Sequence, residues 1–231
     1  MRQEELIANF DRQAASYDDQ WKKLAPVRDA LHLLMRAVLF ELPADAHVLC
    51  VGAGTGAELV YLGNEFPHWR FTVVEPSAAM LDVCRGRAGE HGFASRCVFH
   101  QGYLDSLPSP DAFDAATCLL VSQFLLEREA RSGFFRAIAA RLKPGGILVS
   151  SDLSADVRSK AYESLLDAWW RMMKAADVPA DGIDRLREAY RRDVAVLPAD
   201  DVEAIITAGG FETPVRFFQA ALIRAWYSRK P

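Results

Sequence analysis

Apolar residues in the first 42 positions recur at helical spacing, with Leu31, Leu34, Met35, Val38 and Leu42 the clearest series. Pro43 ends that run, and the rhythm then changes. His47 to Val51 (HVLCV) is a short β-rich run that stops at Gly52. Thr55 to Phe66 predicts a helix closed by Pro67, and Arg70 to Val74 (RFTVV) predicts a second strand ending at Glu75-Pro76. Ser77 is placed to cap a helix to about Arg87, with Met80, Leu81 and Cys84 on one face. Cys97 to His100 and Phe113 to Leu120 predict a third and a fourth strand. Leu126 to Leu142 predicts a helix ending at Lys143-Pro-Gly-Gly146, and Ile147 to Ser151 a fifth strand.

Strands alternating with helices of this length predict a parallel sheet covered on both faces, with right-handed crossovers. The alternation breaks after Ser151. Residues 156–193 read as helical, with Leu165, Trp169, Met172 and Ala176 on one stripe and Leu166, Trp170 and Met173 beside it. Pro179 to Gly182 predicts a turn into a charged helix, Ile183 to Arg192. A last helix, Pro198 to Ala208, stops at Gly209-Gly210, and an aromatic, β-rich tail runs from Val215 to Tyr227. The expected fold is α/β: a doubly wound, mostly parallel seven-stranded sheet with an antiparallel C-terminal edge strand and helical lid insertions. One domain, 1–231, is expected. It divides into an N-terminal helical cover (1–42), a cofactor-binding core (43–152), a helical lid (153–193), and the final helix with the terminal strands (194–231).

Composition narrows the function classes. The chain has 231 residues with 27 Lys+Arg against 31 Asp+Glu, a formal charge of -4, which argues against a nucleic-acid partner. Hydrophobic residues make up 51% and charged residues 25%, enough to build a sizeable core. No apolar run approaches the ~18 residues of a membrane span, and residues 1–30 lack the apolar stretch of a secretory signal. Cys50, Cys84, Cys97 and Cys118 are scattered without a C-x-x-C and read as buried thiols. The expectation is a reduced, soluble, cytoplasmic protein without a membrane partner, monomer or homodimer.

Candidate chemistry begins at Val48-Leu-Cys-Val-Gly-Ala-Gly-Thr-Gly56, where three glycines follow a strand and open a helix. Gly52 permits the tight turn, while Gly54 and Gly56 let backbone approach a ligand without an intervening Cβ. Glu75, at the end of the next strand, can accept both hydroxyls of a ribose. The glycines fit G-x-G-x-x-G/A, a dinucleotide pattern, because Ala57 follows Gly56; they equally fit the G-x-G-x-G of S-adenosylmethionine sites.

The wider motif set is more specific. VLCVGAGTG (48–56), VVEPSAAML (73–81), HQGYLDSLP (100–108), FDAATCLLVSQFLL (113–126) and LKPGGILVSSD (142–152) together resemble the class I S-adenosylmethionine-dependent methyltransferases over nearly the whole length. The resemblance implies S-adenosylmethionine as cofactor. It places Gly102, Tyr103 and Leu104 along the adenine edge, Leu119 near the methyl sulfur and Met80 on the ribose or adenine. Pro76 stands beside Glu75 in the second motif. Phe10-Asp-x-x-Ala-x-x-Tyr17-Asp18 is similar to the family's cofactor-covering helix, with Tyr17 closing over the ligand. One position departs. The family usually has Asp or Glu two residues before the first glycine, where it helps hold the cofactor's ammonium end; here stands Cys50.

No unmistakable general base is present. Ser122 and Gln123 follow the fourth strand and can orient a substrate but are poor proton acceptors; His32, on the N-terminal helix, is the candidate base. His100 is placed to support the adenine loop. No two histidines are spaced as metal ligands. In the lid, Trp169, Trp170, Met172 and Met173 are candidates for the wall of an apolar pocket, or simply its packing face. Arg187, Arg191 and Arg192 share a helix face, and Arg191 is a candidate grip on an anionic substrate. The expected function is methyl transfer to a small molecule, with aromatic and heteroaromatic acceptors as candidates. The alternatives are a cofactor-modifying enzyme laid out like carboxy-S-adenosylmethionine synthase, a non-catalytic cofactor-binding protein, and, with least support, a NAD-dependent dehydrogenase.

Overall fold

The computed structural model describes residues 3–108, 112–176, 178 and 180–231. The N-terminal stretch is not one helix. It folds as α1 (Gln3–Gln13), α2 (Tyr17–Trp21) and α3 (Ala25–Leu39), joined by 3-10 turns at Ala14–Ser16 and Lys22–Leu24. Pro26 at the start of α3 suits a helix beginning there, since its missing N–H would be unpaired in a first turn.

The core alternates β1 (His47–Val51), α4 (Ala57–Glu65), β2 (Arg70–Glu75), α5 (Ala78–Glu90), β3 (Cys97–Gln101), β4 (Phe113–Leu119), α6 (Arg128–Arg141) and β5 (Leu142–Leu153). Then come α7 (Lys160–Ala175), α8 (Ala180–Arg192), α9 (Ala199–Ala208), β6 (Val215–Ala220) and β7 (Ile223–Arg229). The sheet order is β3-β2-β1-β4-β5-β7-β6. The first five strands pair in parallel, while β7 runs antiparallel to β5 and β6 antiparallel to β7. The expected doubly wound sheet with an antiparallel edge is what forms.

Both faces are buried because successive side chains of each strand point to opposite sides. Val48 and Cys50 of β1 join Met35, Leu39, Leu59, Leu62, Leu81 and Phe93 under α3, α4 and α5. Leu49 and Val51 join Phe135, Ile138, Val202, Ile205 and Trp226 under α6 and α9. A third apolar cluster gathers Trp169, Trp170 and Met173 of α7 with Leu153, Leu222 and the partly buried Trp21, Leu24 and Leu120. No helix among the described residues is long and apolar enough to cross a membrane.

Some boundaries differ from the sequence expectation. Strand β5 starts at Leu142, because the Pro-Gly-Gly segment keeps pairing: Gly145 N–H donates to the Lys230 carbonyl (2.8 Å), and Lys230 N–H to that of Gly146 (2.9 Å). Helix α6 starts at Arg128, since 122–124 form a 3-10 turn. Helix α8 starts at Ala180; Pro179, the first residue of the predicted turn, lies outside the described residues. Ser77 caps α5 as expected, accepting from Met80 N–H (3.2 Å). Cys50, Cys84 and Cys118 are buried thiols, and Cys97 is partly buried.

Candidate cofactor and active site

The chain runs outward from β1 to β3, then returns to build β4 and β5 on the other side of β1. The switch point therefore lies between the carboxyl ends of β1 and β4, where an open α/β sheet leaves its crevice. The β1–α4 turn carries three left-handed glycines, with φ of +67° at Gly52, +55° at Gly54 and +79° at Gly56. They do different things. A Cβ on Gly52 would meet Val121 at 2.5 Å, and one on Gly56 would meet Cys84 Sγ at 2.5 Å. Those two glycines permit packing of the β4 exit and of α5. Gly54 alone of the three faces open space, with no atom within 4 Å of an added Cβ.

Glu75 closes the other side. Its Oε2 accepts from Gly54 N–H and its Oε1 from Ser77 N–H, both at 2.9 Å. Burial raises its pKa, and these two N–H groups oppose the rise. The carboxylate is thus fixed at the end of β2 and keeps lone pairs for a ligand.

The N-terminal helices span this crevice. Phe10 of α1 packs edge-on against Phe124 at the β4 exit, ring centroids 5.9 Å apart. Asp11 Oδ1 accepts from Ser77 Oγ (2.5 Å) and Ala79 N–H (3.2 Å) at the start of α5. Asp18 accepts from Thr55 Oγ1 (3.0 Å) in the glycine turn and pairs with Arg87 (2.9 Å). The break between α1 and α2 lets both aspartates reach their partners. Tyr17 lies between them in the chain, its ring 6.2 Å from that of Trp21; burial and the charges of Asp18, Glu75 and Glu58 push its phenol up to about 12.

The adenine-edge expectations divide. Tyr103 is 37% exposed, and its phenol is raised by burial and by Glu75. Gly102, at φ +150°, donates its N–H to the Glu75 carbonyl (3.1 Å). His100 supports the loop through Ser106 Oγ at 2.9 Å. Leu104 instead belongs to the core beside Leu107 and Phe113, because Arg141 holds its carbonyl at 2.8 Å and turns the side chain inward. Met80, in the first turn of α5, is buried. Pro76 lies in the turn between Glu75 and Ser77. Leu119 ends β4, and Leu120 follows at φ +58°, a strained conformation for a leucine.

The polar candidates after β4 are largely committed. Ser122 is fully buried, donates to Asp152 (2.8 Å) and accepts from Arg131 Nε (2.8 Å). Arg131 and Asp152 form a fully buried ion pair at 2.8 Å. Ser122 therefore holds a core network together and is not placed to orient a substrate. Gln123 accepts from Leu153 N–H through Oε1 (2.6 Å), which leaves its amide nitrogen free to donate. His32 is placed elsewhere, between α3 and α4, its ring 5.2 Å from that of Tyr61. Burial and Arg28 push it down to about 4, so it is a weak proton acceptor.

In the lid, Trp169 and Trp170 share a cluster with Trp21 of α2 and with Leu120, which follows β4. Trp170 faces α8, 5.5 Å from the Tyr190 ring and under Arg187, on a cleft of about 300 Å³. Met173 is buried in the same cluster. Arg191 is solvent-exposed, and Arg192 is paired with Asp193. A larger cleft, about 590 Å³, lies between α7, α9 and the β6–β7 hairpin, lined by Tyr162, Asp200, Arg216 and Arg224. Neither cleft includes a residue of the glycine turn. Sequence reasoning missed Glu58 and Arg87, and held Asp11 only as part of the covering-helix motif. Only a contact map joins Asp11 to α5 or Arg87 to Asp18, and a Glu in a first helical turn ordinarily marks a solvent-facing helix start.

Residues 48–146 match the family of methyltransferase domains. The aclacinomycin 10-hydroxylase RdmB of Streptomyces purpurascens is 32% identical over 157 residues, 62% of this chain and 40% of that protein. The ubiquinone/menaquinone biosynthesis C-methyltransferase UbiE of Hahella chejuensis is 28% identical over 166 residues, 67% of this chain and 63% of that one. The chain thus spans 40% and 63% of these two relatives. An O-methyltransferase family protein from Burkholderia thailandensis superimposes with a TM-score of 0.67 over 99% of this chain and 62% of its own, at 16% identity. The matched segment contains the glycine turn, the Glu75 strand and the β4 exit. Residues 48–146 thus match a methyltransferase domain, and the chain is similar to S-adenosylmethionine-dependent methyltransferases in that segment and in fold.

Proposed function

We propose that this protein transfers the methyl group of S-adenosylmethionine to a small-molecule acceptor by in-line displacement. The carrying observation is the cradle at Gly54, the one glycine of the turn with open space before it, facing a Glu75 carboxylate already fixed by backbone. Glu75 would accept the ribose hydroxyls, Met80 and Tyr103 would flank the nucleoside, and Tyr17 would cover it. When bound, the cofactor supplies a methyl group already activated on a sulfonium.

The chain's own task is then alignment and exclusion of water, which together account for much of such a barrier. Helices α1 and α2 and the lid cluster do the excluding. Among the described residues, Ser122, Asp152 and Arg131 neutralise one another, and Gln123 can donate but not accept a proton. This supports acceptors that need no strong base, such as phenols, enols and other groups that ionise readily.

Titration calorimetry tests the reading. S-adenosylhomocysteine should bind and NAD should not. Glu75→Ala should weaken binding at least tenfold while the protein stays folded, since charge-assisted hydrogen bonds are worth ~1.5–3 kcal/mol each. Unchanged affinity in a folded variant would remove Glu75 from the site. A second reading, chemistry other than methylation on the same fold, is favoured by one observation: the relative at 32% identity is named a hydroxylase. Release of S-adenosylhomocysteine in step with product separates the two.

A further inference from the structure

Resting on the S-adenosylmethionine reading above, we propose that the Glu58 carboxylate is the counter-charge for the cofactor's α-ammonium group. Glu58 is the second residue of α4, immediately after the glycine turn, and is 7% exposed. No Lys, Arg or His is hydrogen-bonded to it among the described residues; its partner is its own backbone N–H. Its charge raises the phenol of Tyr17 in the cover and the buried core thiols of Cys50, Cys84 and Cys118. The charge of Glu75, fixed on the Gly54 N–H of the same turn, repels it. Arg87, the cation that does act on it, is hydrogen-bonded to Asp18 (2.9 Å) and to the Thr55 carbonyl (3.3 Å).

Among the described residues, the glycine turn and its two flanking elements thus gather Glu58, Glu75, Asp11 and Asp18, with Arg87 the arginine that pairs with one of them. A buried carboxylate without a cation is costly, and burial has pushed this one up to about 7. A site that keeps such a group is built for a positive ligand. Two groups of S-adenosylmethionine are positive. The sulfonium has no hydrogen to donate, whereas the ammonium has three, so the ammonium is the one a carboxylate can both neutralise and orient. Cys50 cannot do this work: burial lifts its thiol well above the usual range and leaves it uncharged.

The test uses the full chain and two probes: S-adenosylhomocysteine, which carries the ammonium, and 5′-methylthioadenosine, which keeps the nucleoside and sulfur but lacks the amino-acid end. Glu58→Gln preserves shape and removes the charge. The expected result is a loss of tenfold or more in S-adenosylhomocysteine affinity, unchanged affinity for 5′-methylthioadenosine, and a ligand-free Tm at neutral pH no lower than that of the unsubstituted protein. Equal losses for both probes, or unchanged affinity for S-adenosylhomocysteine, would overturn the assignment. A Tm that falls at neutral pH would also overturn it, by making Glu58 a structural group. Failure of the unsubstituted protein to bind either probe would instead sink the cofactor reading on which the proposal rests.

Discussion

Two buried titratable residues set opposite pH slopes on stability. Glu58 has its folded pKa raised from 4.5 to about 7, so the native state holds a proton that the unfolded chain has lost. Its contribution is fully present below pH 4.5 and is lost as pH rises through 7. His32 has its folded pKa lowered from 6.5 to about 4, so its contribution is present above pH 6.5 and is lost as pH falls through 4. Each spans roughly 3 kcal/mol at most. Between pH 4.5 and 6.5 the two oppose each other. Thermal unfolding of ligand-free protein should therefore show Glu58→Gln gaining stability as pH rises through this window, and His32→Phe losing it. Parallel curves for the two variants would show that neither burial has the stated effect. At this scale the sequence was a partial guide. Gly54 and Glu75 were identifiable because turn geometry and strand ends dictate residue type. The absence of an acid at Cys50 was equally visible. Its replacement on the next helix was not, because helix position does not reveal burial.

At the level of elements, the β4 exit is held by a network that links three of them. Ser122 follows β4, Asp152 is near the end of β5, and Arg131 is on α6. An ion pair this deep adds little net stability when intact, but removing one partner strands the other. Arg131→Met should destabilise by about 3–5 kcal/mol in chemical denaturation, and adding Asp152→Asn should recover a substantial part of the loss. If the two losses simply add, the residues are not coupled. Sequence periodicity predicted the elements here to within a few residues, because alternation of 2.0 and 3.6 is imposed by burial on both faces of the sheet. It could not show that Ser122 faces inward. That depends on an arginine nine residues later and an aspartate thirty residues later folding to the same place. The N-terminal run is helical as its spacing predicts, but it is divided by 3-10 turns at Ala14–Ser16 and Lys22–Leu24, and its Asp11 and Asp18 have separate partners, which spacing alone does not show.

For the molecule as a whole, the sheet and its cofactor crevice are one body, and acceptor choice is expected to reside in what covers them. Trp169 and Trp170 both join the lid to Leu120 and Trp21 in one cluster, and Trp170 also packs against the Tyr190 ring of α8 and lines the cleft there. In protein loaded with S-adenosylhomocysteine, a panel of aromatic small molecules should raise the Tm by mass action. Trp169→Phe should diminish that rise, and Trp170→Phe should leave it intact. Equal effects would make both tryptophans packing residues. The lid's two ends, meanwhile, meet at one point. Ser154 bridges Leu197, and Ala155 N–H donates to the Leu197 carbonyl at 3.0 Å. The forty-odd residues between leave the sheet and return to it at the same rung. Closure entropy rises only as the logarithm of length, about 0.6 kcal/mol per doubling. Segments of quite different size can therefore be spliced between Ser154 and Leu197 while the strands beneath stay paired. The scaffold behaves like a chuck that accepts interchangeable tools, and descendants of this chain could have diversified by trading that one cassette while leaving the grip unchanged.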